Sequence, residues 1–254
     1  MSGFEKMRWR IIPLEIHDAY LNMSIDEALL ESIRDGKSDP TIRFYRWQPS
    51  AVSIGTFQSM EKEVNLERCK ELGVDYIRRI TGGGAVYHDF SGEITYTILG
   101  PLSYFPQGIR ESYKFICDWV ISGLRLIGIE AAFVPINDIV IEGKKISGNA
   151  QTRKQGILLQ HGTVLYNTDV RKMFSVLKVS TEKISDKMIK NVEDRVTSVS
   201  RYSGVSIEEL YEALLKGFSE GKDFQFGKLR DDELNRANEL SSSIYRTDAW
   251  NFSR

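Results

Sequence analysis

Ile139-Val140-Ile141-Glu142-Gly143-Lys144-Lys145-Ile146 reads as two β-strands folded back on each other through Glu142-Gly143. A two-residue reversal forces the strands antiparallel, because a parallel pair needs a crossover of about a dozen residues. The short Gln48-Pro49-Ser50 turn likewise joins apolar runs at 42–47 and 51–56. Further strands are expected over 74–80, 94–99 and 157–166. Ser24-Ile25-Asp26-Glu27 reads as a capping box, with Ile25, Ala28, Leu29 and Ile33 on the helical face that follows. A short helix over 66–72 closes at Gly73. Tyr113, Ile116, Cys117, Val120, Leu124 and Ile127 mark a long amphipathic helix. Ser206-Ile207-Glu208-Glu209 is a second capping box, followed by Ile207, Leu210, Tyr211, Leu214, Leu215 and Phe218 at helical spacing. Interleaved helices and short strand joints predict an α+β domain with a mixed β-sheet flanked by helices, not a doubly wound one.

The chain has 254 residues, enough for one large domain or two small ones. No repeat or linker divides it, so a single domain over 1–254 is expected. Apolar residues make up 41% and charged residues 27%, ordinary for a globular protein, and the net charge of −1 argues against a nucleic-acid partner held by overall charge. No apolar run reaches the ~18 residues of a membrane span. Met1-Ser2-Gly3-Phe4-Glu5-Lys6 leads into Arg8 and Arg10 without an apolar signal core. Two cysteines, Cys69 and Cys117, make neither a disulfide framework nor a thiolate metal site, and a cytoplasmic setting is the default.

The densest chemical signal is Arg78-Arg79-Ile80-Thr81-Gly82-Gly83-Gly84-Ala85-Val86-Tyr87-His88-Asp89. Consecutive glycines let a backbone turn with positive φ and approach a ligand closely. Arginines suit phosphate or carboxylate. No Gly-Lys-Ser/Thr follows, so this is no Walker A loop, and no Gly-x-Gly-x-x-Gly opens a helix. A second cluster runs from Asn137-Asp138 to Gly143-Lys144-Lys145-Ile146-Ser147-Gly148-Asn149-Ala150-Gln151. Lys145, on the return strand, can reach a carboxylate and a phosphate together, and Asp138 can hold Mg²⁺ through one oxygen. The bland reading is a solvated Lys-Lys turn. His17, His88 and His161 lack the spacing of a metal triad. Neither cysteine lies near a motif.

In that order and spacing, Arg79 to Asp89, Asn137-Asp138, Lys145 to Ala150 and His161-Gly162-Thr163 resemble the lipoate–protein ligases. The resemblance extends from Asn22 to Glu27, through Arg195-Val196-Thr197-Ser198-Val199, to Trp250-Asn251. It implies the α+β catalytic domain that this superfamily shares with biotin ligases. It also implies activation of lipoate with MgATP to lipoyl-AMP, and transfer of the lipoyl group to a lysine of a lipoyl carrier domain. Such carriers are the acyltransferase subunit of 2-oxoacid dehydrogenases and the glycine cleavage H protein. By similarity Lys145 is the catalytic residue. Arg79, Gly84, Ala85, Val86, Tyr87, Asn137, Asp138 and Lys145 would hold the adenylate, with Asp138 on Mg²⁺. Gly82, Gly83, His88, Lys145 and His161 would line the lipoate pocket. Octanoyltransferases of the superfamily place a nucleophilic cysteine shortly before the Lys hairpin. Here that stretch reads Ala131-Ala132-Phe133-Val134-Pro135-Ile136-Asn137-Asp138, without one. ATP-dependent ligation is therefore expected. An ATP-independent octanoyl or lipoyl transferase, or a non-catalytic lipoyl-binding homologue, are the alternatives. Two-part ligases supply the C-terminal accessory domain as a separate small protein, and such a partner is expected here, with no membrane or nucleic acid.

Overall fold

The strand Thr41–Trp47 shows why the centre of the fold has two covered faces. Side chains alternate across a strand. Ile42 and Phe44 enter one apolar cluster and Tyr45 and Trp47 another, all buried. Layers on both sides of the sheet follow. The protein is described here by a computed structural model covering residues 8–178 and 195–254. The opening Met1 to Lys6 lies outside the described residues.

The strands in chain order are β1 (Arg8–His17), β2 (Thr41–Trp47), β3 (Ala51–Ile54), β4 (Asp75–Arg78), β5 (Val86–His88), β6 (Glu93–Pro101), β7 (Ala132–Val134), β8 (Asp138–Ile141), β9 (Lys144–Lys154), β10 (Ile157–Leu165) and β11 (Asp223–Phe226). The helices are α1 (Ala19–Arg34), α2 (Met60–Glu63), α3 (Leu66–Leu72), α4 (Ile109–Leu126), α5 (Val170–Val176), α6 (Ile207–Ser219), α7 (Asp231–Leu240) and α8 (Asp248–Asn251). Eight strands form one sheet in the order β11-β1-β2-β6-β10-β9-β8-β7, and β4-β3-β5 form a second. β1 runs parallel to β2 and β11, and the joints from β2 through β6, β10, β9 and β8 to β7 are antiparallel. The mixed α+β architecture is as expected.

On one face, Ile42, Phe44, Ile94, Tyr96, Ile98 and Leu158 pack against Ile116, Cys117, Val120 and Leu124 of α4 and Leu210, Leu214 and Phe218 of α6. On the other, Tyr45, Trp47, Leu99 and Leu159 pack against Met23, Ile25, Leu29 and Ile33 of α1 and Ala237 and Leu240 of α7. Helices α4 and α6 touch at bare backbone. A Cβ on Gly217 would stand 2.4 Å from the Gly123 nitrogen, and one on Gly123 2.8 Å from the Ala213 carbonyl oxygen. Gly217→Ala should therefore force the helices apart and destabilise by about 1–3 kcal/mol. Urea unfolding checks this, with Gly221→Ala as no substitute control because its positive φ of 68° brings its own strain.

Two local expectations change. Helix α1 starts earlier than the Ser24 box: Asp18 is its N-cap and accepts from the Leu21 amide at 2.8 Å. Ser24 instead returns its hydroxyl to the Tyr20 carbonyl at 2.7 Å, and Asp26 is buried against the sheet. The runs at 42–47 and 51–56 are strands but not a hairpin. β2 stays in the large sheet, while β3 pairs with β4 and β5 in the small one. The turn between them carries the chain from sheet to sheet and opens the space for the site. The capping box at Ser206 and the Gly73 stop of α3 hold as read.

Candidate active site

The glycine loop that leaves β4, the inner end of β5 and the return strand β9 surround one cleft of about 630 Å³, counting its open mouth. That volume suits a small organic ligand. Gly83, Gly84, Ala85 and Val86 line it from the first motif, and Asn137, Lys145, Gly148, Asn149 and Ala150 from the second. Met23, Tyr45, Trp47 and Thr95 add the floor, with His88 and His161 between. The two motifs, more than fifty residues apart in the chain, thus meet.

Both arginines of the motif are bonded to the loops around them. Arg78 gives its guanidinium to five carbonyls: Gly55, Thr56 and Gln58 on the loop after β3, and Trp250 and Asn251 of α8. Arg79 is 4% exposed. It donates to Thr81 Oγ1 at 3.1 Å, to the Ser53 carbonyl at 3.0 Å and hydroxyl at 3.1 Å, and to the Gly82 and Gly84 carbonyls at 2.8 Å each. A guanidinium has five N–H donors, and these contacts engage them all. Arg79 lines the cleft as well, and its guanidinium staples the glycine turn shut. Gly83 needs its φ of 98°, and the turn lies so close to β3 that a Cβ on Gly55 would stand 2.1 Å from the Gly83 carbonyl oxygen.

Lys145 reaches the cleft because of a bulge. Across β8 and β9, Asp138 pairs with Gly148 and Ile139 with Ser147, but Val140 pairs with Lys145, leaving Ile146 as an extra residue. The extra residue turns Lys145 to the face shared by Asp138 and Gly148. Its Nζ lies 2.7 Å from Asp138 Oδ1, with the Lys145 side chain 40% exposed. The chain crosses directly above Gly148, where a Cβ would meet Nζ at 2.7 Å. Lys145 is also held through its backbone: its N–H donates to the Arg195 carbonyl at 2.7 Å and its carbonyl accepts from Thr197 N–H at 2.8 Å.

Four further expectations are adjusted by geometry. Asn137 lines the cleft, but its amide nitrogen donates to the Asn149 carbonyl, and Asn149 Nδ2 returns a bond to the Asn137 carbonyl at 2.9 Å. The pair ties the hairpin entry together. Tyr87 points away, into the apolar cluster of Val52, Ile54 and Met60, because it alternates with Val86 and His88 along β5. Gly82 is on the far side of the turn, 4.0 Å from the Phe57 ring as measured from an added Cβ, and does not line the cleft. Asp138 does not line it either; its carboxylate faces the Lys145 ammonium.

His161 is buried, with Nε2 2.7 Å from Thr81 Oγ1 and Nδ1 3.3 Å from Asp26 Oδ2. Burial pulls its imidazole below the ordinary value, outweighing the Asp26 hydrogen bond. His88 lies stacked on Trp47, ring centroids 3.9 Å apart, between Ser53 Oγ at 2.8 Å and Glu93 Oε1 at 2.6 Å. Neither thiol is near. Cys117 lies on the buried face of α4 with its pKa pushed up to about 12 by burial, and Cys69 among the third apolar cluster, pushed up to about 11. Residues missed in the sequence include Met23, Tyr45, Trp47, Ser53, Thr95 and Asn149. Only Asn149 carried a signal, from its place after Gly148.

The family described as lipoyl protein ligase A/B catalytic domain matches residues 18–219. The chain is 36% identical to an octanoyltransferase LipM of Anoxybacillus flavithermus, over 98% of this chain and 100% of that protein. It is 35% identical to an octanoyltransferase LipM of Brevibacillus brevis, over 97% and 99%. Among solved structures, a bi-partite lipoate protein ligase of Thermoplasma acidophilum superposes with a TM-score of 0.87 at 34% identity, covering 97% of this chain and 96% of that one. The names of these full-length relatives overturn the expectation of MgATP-dependent ligation. ATP and Mg²⁺ drop out as cofactors, and with them the metal role of Asp138 and the adenylate roles of Gly84, Ala85, Val86 and Asn137.

Proposed function

The chain belongs to the lipoyl protein ligase A/B catalytic domain family, and from that membership we propose that it is an ATP-independent octanoyltransferase. It moves an octanoyl group from a thioester on an acyl carrier to the ε-amine of a lysine on a lipoyl domain. The observation that carries this reading is the half-exposed Lys145 side chain lining the same cleft as the glycine turn and the apolar Met23, Tyr45, Trp47 and Val86. The lipoyl domain as acceptor is taken from the lipoylation system to which the Thermoplasma protein belongs.

A thioester arrives already activated, so no anhydride with AMP is needed. The neutral lysine amine of the acceptor attacks the carbonyl carbon, the C–N bond forms, and the carbonyl oxygen takes negative charge. Lys145 meets that charge, the moment at which a preorganised donor acts most strongly. The C–S bond then breaks, and the amine proton leaves with the thiolate as a free thiol. Met23, Tyr45, Trp47 and Val86 offer the acyl chain apolar contact, with Gly83, His88 and His161 beside it. With no adenylate to form, a separate accessory protein has no step to serve in this reading.

Octanoyl-carrier and an unmodified lipoyl domain, incubated with the enzyme in nucleotide-free buffer, should yield an octanoylated domain by intact mass. Because no enzyme thiol reaches the cleft, Cys69→Ala/Cys117→Ala should keep kcat/KM within about threefold, its cost falling on stability as a buried small-volume change. Loss of transfer in that variant, with the fold retained by circular dichroism, would show that a cysteine carries the acyl group.

A further inference from the structure

The guanidinium of Arg79 can donate but not accept. Its Nε donates to Thr81 Oγ1 and its Nη1 to Ser53 Oγ, each at 3.1 Å. Each hydroxyl therefore has a lone pair taken and its own proton left to give. In reach of Thr81 is His161 Nε2 at 2.7 Å, and in reach of Ser53 is His88 Nε2 at 2.8 Å. Behind each ring stands a carboxylate, Asp26 Oδ2 at 3.3 Å from His161 Nδ1 and Glu93 Oε1 at 2.6 Å from His88 Nδ1. An ionised carboxylate only accepts, so the ring proton sits on Nδ1 in both. The opposite tautomer would set a bare ring nitrogen against a carboxylate and strand a buried hydroxyl proton.

We propose that Arg79 is a positioning residue that locks His88 and His161 in the neutral Nδ1–H form through two parallel relays, one by Ser53 and one by Thr81. The purpose given to it rests on the octanoyl-transfer reading; the tautomers do not. An imidazolium beside an apolar acyl chain is costly to desolvate, and the lock keeps both rings uncharged. It also occupies both Nε2 lone pairs, so neither histidine takes the proton of the incoming amine. That proton goes to the leaving sulfur. Burial works in the same direction on His161, and the charge of Arg79 facing it adds to that, while Asp26 opposes.

The test is long-range ¹H–¹⁵N NMR on ring-labelled protein at pH 7.5, without substrate. His88 and His161 should each show a protonated Nδ1 and a bare Nε2, the minor form of a free imidazole side chain. Thr81→Val should release His161 alone into exchange between tautomers, and Ser53→Ala should release His88 alone. Arg79→Gln should release both; if it does not fold, the two hydroxyl variants still decide. An Nε2–H or doubly protonated ring in the parent protein would overturn the lock, as would a hydroxyl variant that leaves its histidine unchanged. Because the spectrum needs no turnover, wrong tautomers with intact octanoyl transfer count against the lock alone. Correct tautomers support the lock even if transfer is absent, which counts against the functional reading alone.

Discussion

Lys145→Ala should lower kcat/KM for octanoyl transfer by about 10²–10³-fold, the usual cost of removing one oxyanion donor, with an unchanged circular dichroism spectrum. The side chain is 40% exposed and its ion pair is with Asp138, itself partly exposed. An exposed pair of this kind contributes at most about 1 kcal/mol to stability, so the substitution separates chemistry from folding. The bulge at Ile146 sharpens the expectation. It turns this lysine toward the cleft while Lys144 pairs with Ile141 at the hairpin turn. Lys144→Ala should therefore leave transfer within about threefold. Equal losses in the two variants would mean that general positive charge matters and that Lys145 has no special place.

Asp26→Ala should lower Tm by roughly 6–20 °C, following from a loss of about 3–5 kcal/mol and a domain of this size. The carboxylate is 1% exposed. Its oxygens accept from Arg43 Nη1 at 3.2 Å, Thr97 Oγ1 at 2.9 Å, and Tyr45 OH and His161 Nδ1 at 3.3 Å each. Removing it takes an acceptor from four buried donors on β2, β6 and β10: Arg43 Nη1 keeps the Asn22 carbonyl and Thr97 Oγ1 keeps Tyr45 OH, each at 3.3 Å, but Tyr45 OH and His161 Nδ1 are stranded, and Glu15 at 3.4 Å is the one carboxylate left to the fully buried Arg43. Orphaned buried donors cost far more than the net worth of the bonds they made. Asp26→Asn keeps the shape and part of the acceptor capacity, so its Tm should fall between the two. A Tm within about 2 °C of the parent for Asp26→Ala would mean that water enters and replaces the carboxylate.

The hairpin was legible because turn chemistry is local. Glu142 and Gly143 adopt φ of 51° and 78°, as a tight two-residue turn requires. The stop at Gly73 and the box at Ser206 are local in the same way. Ser24 was misplaced as a cap because Ser with Glu three residues on is compatible with a helix start, and only β2, β6 and β10 arriving beneath the helix show the buried use of Asp26. Arg79 reads as a phosphate ligand for the same reason: residue type announces five donors, but the fold decides where they go. Lys145 and the glycine turn were found together because their separation in sequence says nothing against contact in space.

The error in function has a physical origin. A missing cysteine before the hairpin excludes an acyl group parked on the enzyme. It does not exclude direct passage from a carrier thioester to an amine, and the reading of ligase chemistry took the first exclusion for the second. The octanoyltransferase relatives, matching nearly the whole chain, speak for a transferase.

The most direct measurement compares initial rates of lipoyl-domain acylation from two donors: octanoyl thioester on acyl carrier without nucleotide, and free octanoate with MgATP. The account predicts that the thioester alone sustains turnover and that free acid with MgATP gives no product. Turnover from the free acid that stops when nucleotide is withheld, with none from the thioester, would contradict it.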